Sequence, residues 1–356
     1  MIARPAKAFG MAGEERVDED TVDLAAWRDA ALQFEAELGK AILGQRRVIH
    51  LLTVAIFARG HVLLEGDVGV GKTTLLRAAA RCLGGSYQRI EGTIDLMPAD
   101  LVYYTFLGED GRPRVEPGPV LRSGEDLAIF FFNEINRARP QVHSLLLRLM
   151  AERTLSAFNR DYAFPHLLVF ADRNRVEREE TFELPAAARD RFLMEIAIDT
   201  PADAEVRRCL MFDTRFHDAD RLVGELRQTV PDHRALDGVG RSIQRRVGAS
   251  EALQLYALKL WDAVRYPGRH GIKLAGLDSE RLVEAGASPR GMSFLLRAAR
   301  VVAWLDGRDM VVPEDLREVF FEVMAHRIFL DPIHEMRRAE IMPALIRQLF
   351  ETVPAP

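Results

Sequence analysis

The sequence predicts an α/β fold with a parallel β-sheet, followed by a helical C-terminal region. A short apolar strand, a glycine-rich turn and an alanine- and leucine-rich helix follow one another in residues 61–83. Between residues 86 and 198, apolar strands alternate with helical patterns, which is the order typical of a parallel sheet with right-handed crossovers. Beyond about residue 200, apolar residues recur at helical spacing only. We therefore expect a sheet domain first and a helical domain second.

The glycine-rich turn, GDVGVGKT at Gly66–Thr73, matches the phosphate-loop pattern G-x-x-x-x-G-K-[ST]. Its glycines allow successive backbone N–H groups to face one centre, and the positive end of the next helix points there too. In this pattern Lys72 reaches the β- and γ-phosphates, and the Thr73 hydroxyl contacts Mg²⁺. We expect a nucleoside triphosphate site formed by Gly66, Asp67, Val68, Gly69, Val70, Gly71, Lys72, Thr73 and Thr74.

Composition restricts the classes of function. The chain has 356 residues, 48% hydrophobic and 28% charged, which is enough for two domains with a sizeable core. Its net charge of −5 argues against a broad electrostatic grip on nucleic acid. The two cysteines lie far apart, and the longest apolar run is too short to cross a bilayer. We expect a soluble, cytoplasmic protein without membrane insertion.

The N-terminal stretch, residues 1–25, is acidic and aperiodic, and we expect a mobile tail. A helical pattern then runs from Leu24 to Ile42, and a second apolar helix ends near Ala58. Gly44 and Gln45 lie in the turn between these two helices. From the residues alone, this turn is simple helix punctuation.

After the phosphate loop, Ser86–Ile90 is predicted to be a strand. The following segment, residues 91–125, is too long for a simple connection. It contains two short strands, Val102–Phe106 and Arg114–Val115, on either side of GEDGR, which is a hairpin signal. The insertion is either a functional projection or a surface loop, and the residues do not decide between the two.

Polar residues follow two of the later strands. The six apolar residues Leu127–Phe132 fit a strand buried on both faces, and Asn133 and Glu134 come directly after it. Ligands bind at the carboxyl ends of strands in open α/β sheets, so Glu134 is a candidate base for polarising an attacking water. The strand His166–Ala171 brings Asn174 to the same end of the sheet.

The remaining core elements are a helix over Gln141–Glu152, a second hairpin over Thr154–Ala163 and a last strand over Phe192–Ile198. Residues 201–245 are expected to be a linker, and residues 246–356 a helical domain. A helix is predicted to start at Ser288 and Pro289, because proline suits the first helical turn.

Taken together, these motifs resemble those of the AAA+ ATPases and, more narrowly, the MoxR family. The resemblance extends over nearly the whole chain beyond the N-terminal tail. FFFNEINRA resembles the family's hhhhDEINRA, and ELPAAARDRF resembles LPEAxxDRF. GASPRG at Gly286–Gly291 and VMAHRI at Val323–Ile328 resemble the signatures of the lid domain. The implied fold is a P-loop AAA+ core with a parallel αβα sheet, residues 26–200, followed by an all-α lid.

The resemblance also implies roles for individual residues. Asn174 would be sensor 1, which helps to place the attacking water. Arg191 would be the arginine finger that reaches a neighbouring subunit's nucleotide, so a hexameric ring is implied. Arg290 would be sensor 2, carried by the lid onto the bound nucleotide. Gly44 and Gln45 would lie by the adenine, and the 91–125 insertion would project toward the central pore.

Two positions depart from the family pattern. Asn133 stands where an aspartate normally helps to hold Mg²⁺, so a hydrogen bond can remain but the charge is lost. We expect weaker Mg²⁺ retention and slow turnover, and we expect Asn133→Asp to raise turnover at similar nucleotide affinity. Ala186 stands where the family usually has glutamate beside the finger segment.

The implied function is a ring-forming ATPase that uses ATP and Mg²⁺ to remodel or activate partner proteins, with a von Willebrand factor A domain protein as the expected partner. Three alternatives stay open. Asn133 is compatible with a nucleotide-gated scaffold that has little turnover. Related ring ATPases with such an insert act on DNA, although the acidic balance makes nucleic acid an unlikely partner. A chelatase-type motor subunit is the third.

Overall fold

The computed structural model describes residues 22–174 and 182–356. Its strands are β1 Val62–Glu65, β2 Ser86–Glu91, β3 Tyr103–Leu107, β4 Pro113–Pro117, β5 Leu127–Asn133, β6 Thr154–Ala157, β7 Arg160–Ala163, β8 Leu168–Arg173, β9 Met194–Ala197, β10 Val283–Ala285 and β11 Phe329–Leu330. Its α-helices are α1 Leu24–Ala41, α2 Arg46–Phe57, α3 Lys72–Leu83, α4 Pro98–Val102, α5 Pro119–Arg122, α6 Pro140–Glu152, α7 Ala186–Arg189, α8 Ala204–Phe212, α9 Ala219–Gly224, α10 Leu236–Arg246, α11 Glu251–Arg265, α12 Pro289–Leu305, α13 Pro313–Met324, α14 Pro332–Glu335 and α15 Arg338–Thr352.

Five of the strands form one sheet in the order β2-β5-β8-β1-β9, and all four neighbouring pairs are parallel. The interior strand β5 is fully buried, as its unbroken apolar run predicts for a strand covered on both faces. Its side chains alternate between two cores. Phe131 packs with α1, α2 and α3 on one face, and Phe130 and Phe132 pack with α6 on the other. This arrangement confirms the predicted αβα core.

Both predicted hairpins are present. β3 and β4 pair antiparallel within the 91–125 insertion, and β6 and β7 pair antiparallel after α6. The first hairpin stands away from the core: Tyr104, Phe106 and Leu107 are exposed, and so is every residue of β4. An exposed hairpin with apolar side chains is a projection rather than a packed connection.

Residues 201–245, which we expected to be a linker, contain helices α8 and α9 and most of α10. The buried face of α10 joins the main core through Leu236, Val239 and Ile243. The N-terminal boundary also differs slightly, because α1 begins at Leu24 with Asp23 as its cap. The rest of the expected tail, residues 1–21, lies outside the described residues.

The C-terminal domain is helical, with one departure from an all-α lid. β10 and β11 form a small antiparallel ladder that ties the residues before α12 to the residues after α13. The lid shares a continuous hydrophobic core with the sheet domain. Trp304 of α12 packs against Phe57 of α2 in a tilted arrangement, with ring centroids 5.1 Å apart. Its indole N–H donates to the carbonyl oxygen of Leu24. Within the described residues, no helix has the length and apolar character that a bilayer crossing requires.

Candidate functional site

The phosphate loop joins the carboxyl end of β1 to the start of α3. Gly69 and Gly71 adopt left-handed backbone angles, with φ of +82° and +89°, which side-chain-bearing residues rarely take. Gly71 is the N-cap of α3, so the loop turns directly into the amino end of the helix. A Cβ on Gly66 would lie 2.5 Å from the carbonyl oxygen of Ile198. These three positions explain the glycine spacing of the motif.

Lys72 is the first residue of α3, and its side chain turns back over the loop. Its Nζ donates to the carbonyl oxygens of Gly66 at 2.6 Å and Asp67 at 3.3 Å. Nζ also lies 3.1 Å from Oδ2 of Asp172, in an ion pair without hydrogen-bond alignment. Thr73 and Thr74 follow in the first turn of α3, where a hydroxyl can face a ligand held by the loop.

Asn133 is the last residue of β5, and Glu134 follows it in a left-handed conformation with φ of +54°. The Glu134 carboxylate forms an ion pair with Arg137, with Oε2 and Nη1 2.8 Å apart. Gly92 packs against this turn, since its N–H donates to the Asn133 carbonyl at 2.7 Å. Therefore Glu134 is held both through its backbone and through its carboxylate.

Two polar side chains mark the end of β8. Asp172 is buried, with 1% of its side chain exposed, and its Oδ1 accepts a hydrogen bond from the Glu134 N–H. Burial raises the pKa of Asp172, while the Glu134 N–H and the Lys72 ammonium act in the opposite direction. Asn174, buried just beyond β8, lies at the same end of the sheet as Glu134 and the loop. We call this end the carboxyl end.

Gly44 and Gln45 also lie near the carboxyl end. The Gln45 side chain donates to the Asp199 carbonyl oxygen at 2.5 Å, and a Cβ on Gly44 would lie 2.9 Å from Cβ of Pro201. The segment after β9 thus contacts the turn between α1 and α2 on one side and the phosphate loop, through Ile198 and Gly66, on the other. The structure therefore places Gly44 and Gln45, which were predicted to lie by the adenine, close to the predicted phosphate loop.

Arg191 and Arg290 occupy the opposite end of the sheet, the amino end. Arg191 precedes β9, which runs parallel to β1 in the register Val62↔Met194, so it lies on the entry side of both strands. Asp190 fixes the lid here: its carboxylate accepts from Ser288 at 2.9 Å and from Arg290 and Arg327 at 3.1 Å each. This contact holds Arg290 beside Arg191, at the end of the sheet opposite the phosphate loop, and the role of Arg290 as sensor 2 stays a prediction.

A cavity of about 300 Å³ opens at the amino end, and none of its lining residues is acidic. Arginines dominate its wall: Arg59, Arg153, Arg191, Arg290 and Arg297. Burial, together with like-charge repulsion from Arg153, lowers the pKa of Arg59 to about 9, while Asp237 acts in the opposite direction. Asp237 pairs with Arg59 and Arg153, and Asp190 pairs with Arg290. Five arginines against two carboxylates leave an excess of positive charge, which favours an anion.

The carboxyl end fits a magnesium-bound nucleoside triphosphate. Left-handed glycines at a helix amino end, a lysine over the loop and a hydroxyl in the first helical turn are the groups that bind phosphate chains and their metal. The predicted residues of the loop, together with Asn133, Glu134 and Asn174, are brought together there. Arg191 and Arg290 are not.

Comparison with known proteins identifies the family. The chain is 67% identical to Protein MoxR of Methylorubrum extorquens over 333 residues, which are 94% of this chain and 97% of that protein. It belongs to the MoxR family of AAA+ ATPases. The profile described as "ATPase family associated with various cellular activities (AAA)" matches residues 61–194, and the "AAA lid domain" profile matches residues 276–345. The family and fold expected from the motifs are confirmed.

More distant MoxR relatives agree. Chaperone MoxR1 of Mycobacterium tuberculosis is 33% identical over 90% of this chain and 81% of its own length. The crystal structure of a Cytophaga hutchinsonii protein assigned as an ATPase superposes with a TM-score of 0.79 at 29% identity, and covers 94% of this chain and 97% of that one. The whole arrangement of core and lid is therefore shared, beyond the phosphate loop alone.

Sequence reasoning missed four residues that the structure places in these sites: Arg137, Asp172, Asp190 and Arg327. Asp172 had a visible signal, because it is a polar residue inside an otherwise apolar strand and only two positions before Asn174. Asp190 and Arg327 meet across 137 positions of sequence, and no local pattern predicts such a pair. Ala186, the second departure from the family pattern, is the exposed first residue of α7.

Proposed function

We propose that this chain is a cytoplasmic, ring-forming ATPase that hydrolyses ATP with Mg²⁺ to remodel partner proteins, with each active site shared by two subunits. The observation that carries the proposal is the separation of the two halves. The phosphate loop lies at the carboxyl end of the sheet, and the arginine-lined cavity lies at the amino end. One chain cannot bring both to the same phosphate, whereas a head-to-tail ring brings the amino end of one subunit to the carboxyl end of the next.

The residues of the carboxyl end would bind and orient. Backbone N–H groups of the loop and Lys72 would hold the phosphates, and Thr73 would hold Mg²⁺, which neutralises charge on the phosphates. Glu134 would accept a hydrogen bond from the attacking water and align it, with Asn174 at its side. Arg137 pairs with Oε2 of Glu134, so the position of Arg137 would influence how this carboxylate meets the water.

The arginines of the amino end would complete the neighbouring site. A guanidinium group supplied across an interface stabilises the charge that develops on the transferred phosphoryl group. In known cases this raises the rate of hydrolysis by about 10³- to 10⁵-fold. Arg191 precedes β9 and Arg290 belongs to the lid, and Asp190 joins the two segments. Phosphate release at the interface would therefore act on core and lid together, which is how ATP cycles would drive remodelling.

The proposal for the partner rests on relatives. The Mycobacterium tuberculosis relative is named a chaperone, in line with action on proteins. We propose a hexamer and a partner with a von Willebrand factor A domain, as the family resemblance implies. The exposed β3–β4 hairpin, with Tyr104, Phe106 and Leu107 at its surface, is the element proposed to reach toward the pore.

Subunit mixing tests the shared site. Glu134→Gln disables the carboxyl end and keeps the arginines, whereas Arg191→Ala keeps the carboxyl end. We expect each variant to be nearly inactive in ATP hydrolysis and a mixture of the two to recover activity, because some interfaces then combine an intact Glu134 with an intact Arg191. Size-exclusion chromatography with light scattering should show rings in every sample with ATP.

Recovery in the mixture would support sites shared between subunits. Mixed rings that hydrolyse no faster than the separate variants would exclude them. A chain that remains monomeric at all nucleotide concentrations, or that ignores ATP in the presence of magnesium, would remove the proposed function altogether.

A further inference from the structure

The carboxyl end lacks a negative charge where the family pattern supplies one. P-loop ATPases hold Mg²⁺ with the hydroxyl of the loop and with an aspartate at the end of the strand that precedes the catalytic glutamate. Here that strand, β5, ends in Asn133, an uncharged residue. Glu134 is already paired with Arg137 at 2.8 Å. If the chain binds ATP with magnesium as proposed, a carboxylate must come from elsewhere.

Asp172 lies in the neighbouring strand at the matching position. The parallel register of β5 and β8 runs to Phe132↔Ala171, and one further residue places Asn133 opposite Asp172. Side chains opposite each other in parallel strands share a face, and the strands lie about 4.8 Å apart. Phe131 and Phe170, two positions earlier, face the core that contains α3, so Asn133 and Asp172 share the face that carries Lys72.

The contacts of Asp172 connect it to both chemical groups of the site. Its Oδ1 accepts from the backbone N–H of Glu134, and its Oδ2 lies 3.1 Å from Lys72 Nζ. The side chain is 1% exposed, and Oδ2 has no aligned hydrogen-bond donor. A buried carboxylate is costly unless cations or donors compensate it, and here the Lys72 ammonium and the Glu134 N–H do so.

We propose that Asp172 supplies the carboxylate that Asn133 lacks. The acidic group of the magnesium site is then provided by β8 instead of by β5. Asp172 acts as a positioning residue. It sets the backbone of Glu134 and the ammonium group of Lys72, and it turns a negative charge toward the place where the loop would hold Mg²⁺. The inference rests on the proposed function, and it explains how a chain with Asn133 can retain magnesium-dependent chemistry.

Moving the charge back tests this inference. Four variants of the full chain are needed: Asp172→Asn, Asn133→Asp, the double variant Asn133→Asp/Asp172→Asn, and the control Glu195→Gln. Glu195 is a partly buried carboxylate on β9 of the same sheet, paired with Arg173 at 2.5 Å and not with Lys72. The measured quantity is the magnesium enhancement, defined as the ATP dissociation constant in EDTA divided by that in Mg²⁺, from competition with a fluorescent ATP analogue.

We expect Asp172→Asn to lose about 10- to 100-fold of the magnesium enhancement, as substitutions beside metal ligands commonly do. The double variant should recover most of it, because the charge returns to the family's position. Glu195→Gln should match the wild type. Asn133→Asp alone should change the enhancement and the turnover little, in contrast to the rise in turnover expected from the sequence, since the wild type already has one carboxylate at this site.

Three results would overturn the inference: an unchanged enhancement in Asp172→Asn, a double variant as weak as Asp172→Asn, or a tenfold rise in turnover for Asn133→Asp alone. The last result requires no change at Asp172, so it remains decisive even if Asp172→Asn does not fold. A wild type that binds no ATP would instead refute the proposed function. A wild type that binds ATP with magnesium, while Asp172→Asn behaves identically, would refute this inference alone.

Discussion

The two ends of the sheet differ in how their charges are balanced. At the carboxyl end, Lys72 faces Asp172 and Glu134 faces Arg137. At the amino end, five arginines line the cavity, and the two carboxylates that pair with three of them, Asp190 and Asp237, lie outside its lining. The charges of the carboxyl end are therefore balanced within the site, whereas the amino end has an excess of positive charge. In the proposed ring, the positively charged amino end of one subunit would meet the carboxyl end of the next.

The lid is anchored near both ends, and the anchors differ in burial. At the amino end, Arg327 is 1% exposed and pairs with Asp190. Toward the carboxyl end, Arg47 and His50 of α2 pair with Glu318 of α13 at distances of 3.0 and 3.1 Å, in a partly exposed cluster. A cavity of about 410 Å³ separates core and lid beside this second cluster. Because the first anchor is buried and the second is partly exposed, we expect the contacts of the second anchor to break more readily.

The largest expected effect concerns the carboxyl end. Glu134→Gln keeps the shape of the side chain but removes the group that accepts hydrogen bonds from water in two directions. We expect turnover to fall by about 10²- to 10⁴-fold, while ATP affinity changes little. Phosphate release and equilibrium nucleotide binding are the two measurements. Equal, background-level phosphate release by wild type and variant would instead favour a nucleotide-gated scaffold.

The second prediction concerns the amino end and stability. Asp190→Ala leaves the buried guanidinium of Arg327 without its carboxylate. Removing one partner of a buried pair costs about 3–5 kcal/mol, and the backbone carbonyls around Arg327 favour the lower figure. Arg290→Ala is the matched control, because its side chain is 52% exposed and its pair with Asp190 contributes about 1 kcal/mol or less. Denaturant unfolding at pH 7 compares the two.

If both variants lose the same free energy of unfolding, the amino end is not held by a buried charge, and the contrast between the anchors fails. If only Asp190→Ala is strongly destabilised, the fixed position of Arg290 beside Arg191 follows from the same contact that stabilises the lid.

The sequence predicted those parts of the fold whose signals are local. The loop Gly66–Thr73 has its own pattern, and the apolar run before Asn133 fits only a strand covered on both faces. Helix α12 begins where Ser288 and Pro289 predict, with the Ser288 hydroxyl accepting from the Gly291 N–H. In each case, the residues that determine the structure lie within a few positions of one another.

The parts that were missed depend on contacts between distant residues. Arg290 meets Asp190 across 100 positions, so the position of the lid relative to the sheet ends could not be read from either segment. The short ladder of β10 and β11 has the same origin, since three- and two-residue strands have no usable period. The role of Asp172 required the register of β5 and β8, which only the folded sheet defines.

The third prediction concerns the close packing of Gly92 against Glu134 at the carboxyl end. A Cβ on Gly92 would overlap the carbonyl oxygen of Glu134, which is backbone and cannot move aside cheaply. We expect Gly92→Ala to cost about 1–3 kcal/mol and to slow turnover by up to about 100-fold through displacement of Glu134. Gly39→Ala on α1 is the control, because a Cβ there meets nothing and alanine favours the helix.

Normal turnover in Gly92→Ala would mean that the backbone of Glu134 tolerates displacement. It would also mean that the positive φ of Glu134 is not required for the chemistry. A similar loss in Gly39→Ala would mean that general destabilisation, rather than the position of Glu134, controls the rate.

The smallest effect is a pH dependence at the second lid anchor. His50 lies 3.1 Å from Glu318 and 3.0 Å from Glu35, and these two carboxylates raise its pKa to about 9, against burial. Since this pKa exceeds the unfolded value of about 6.5, the charged ring stabilises the fold fully below pH 6.5 and loses its effect as pH rises through 9. His50 in turn lowers the pKa of Glu318, so the carboxylate contributes above its ordinary pKa and less in acid.

His50→Gln should therefore be less stable than the wild type near pH 6 by about 1 kcal/mol or less, and the two should converge above pH 9. Thermal unfolding between pH 6 and 10 measures the gap. Arg47→Gln is the control: it loses a neighbouring pair with Glu318, but its deficit should not vary over this range, because arginine stays charged. A constant gap for His50→Gln would show that the ring packs without titrating. A gap that closes with rising pH would show that the charge of His50 stabilises the contact between α2 and α13.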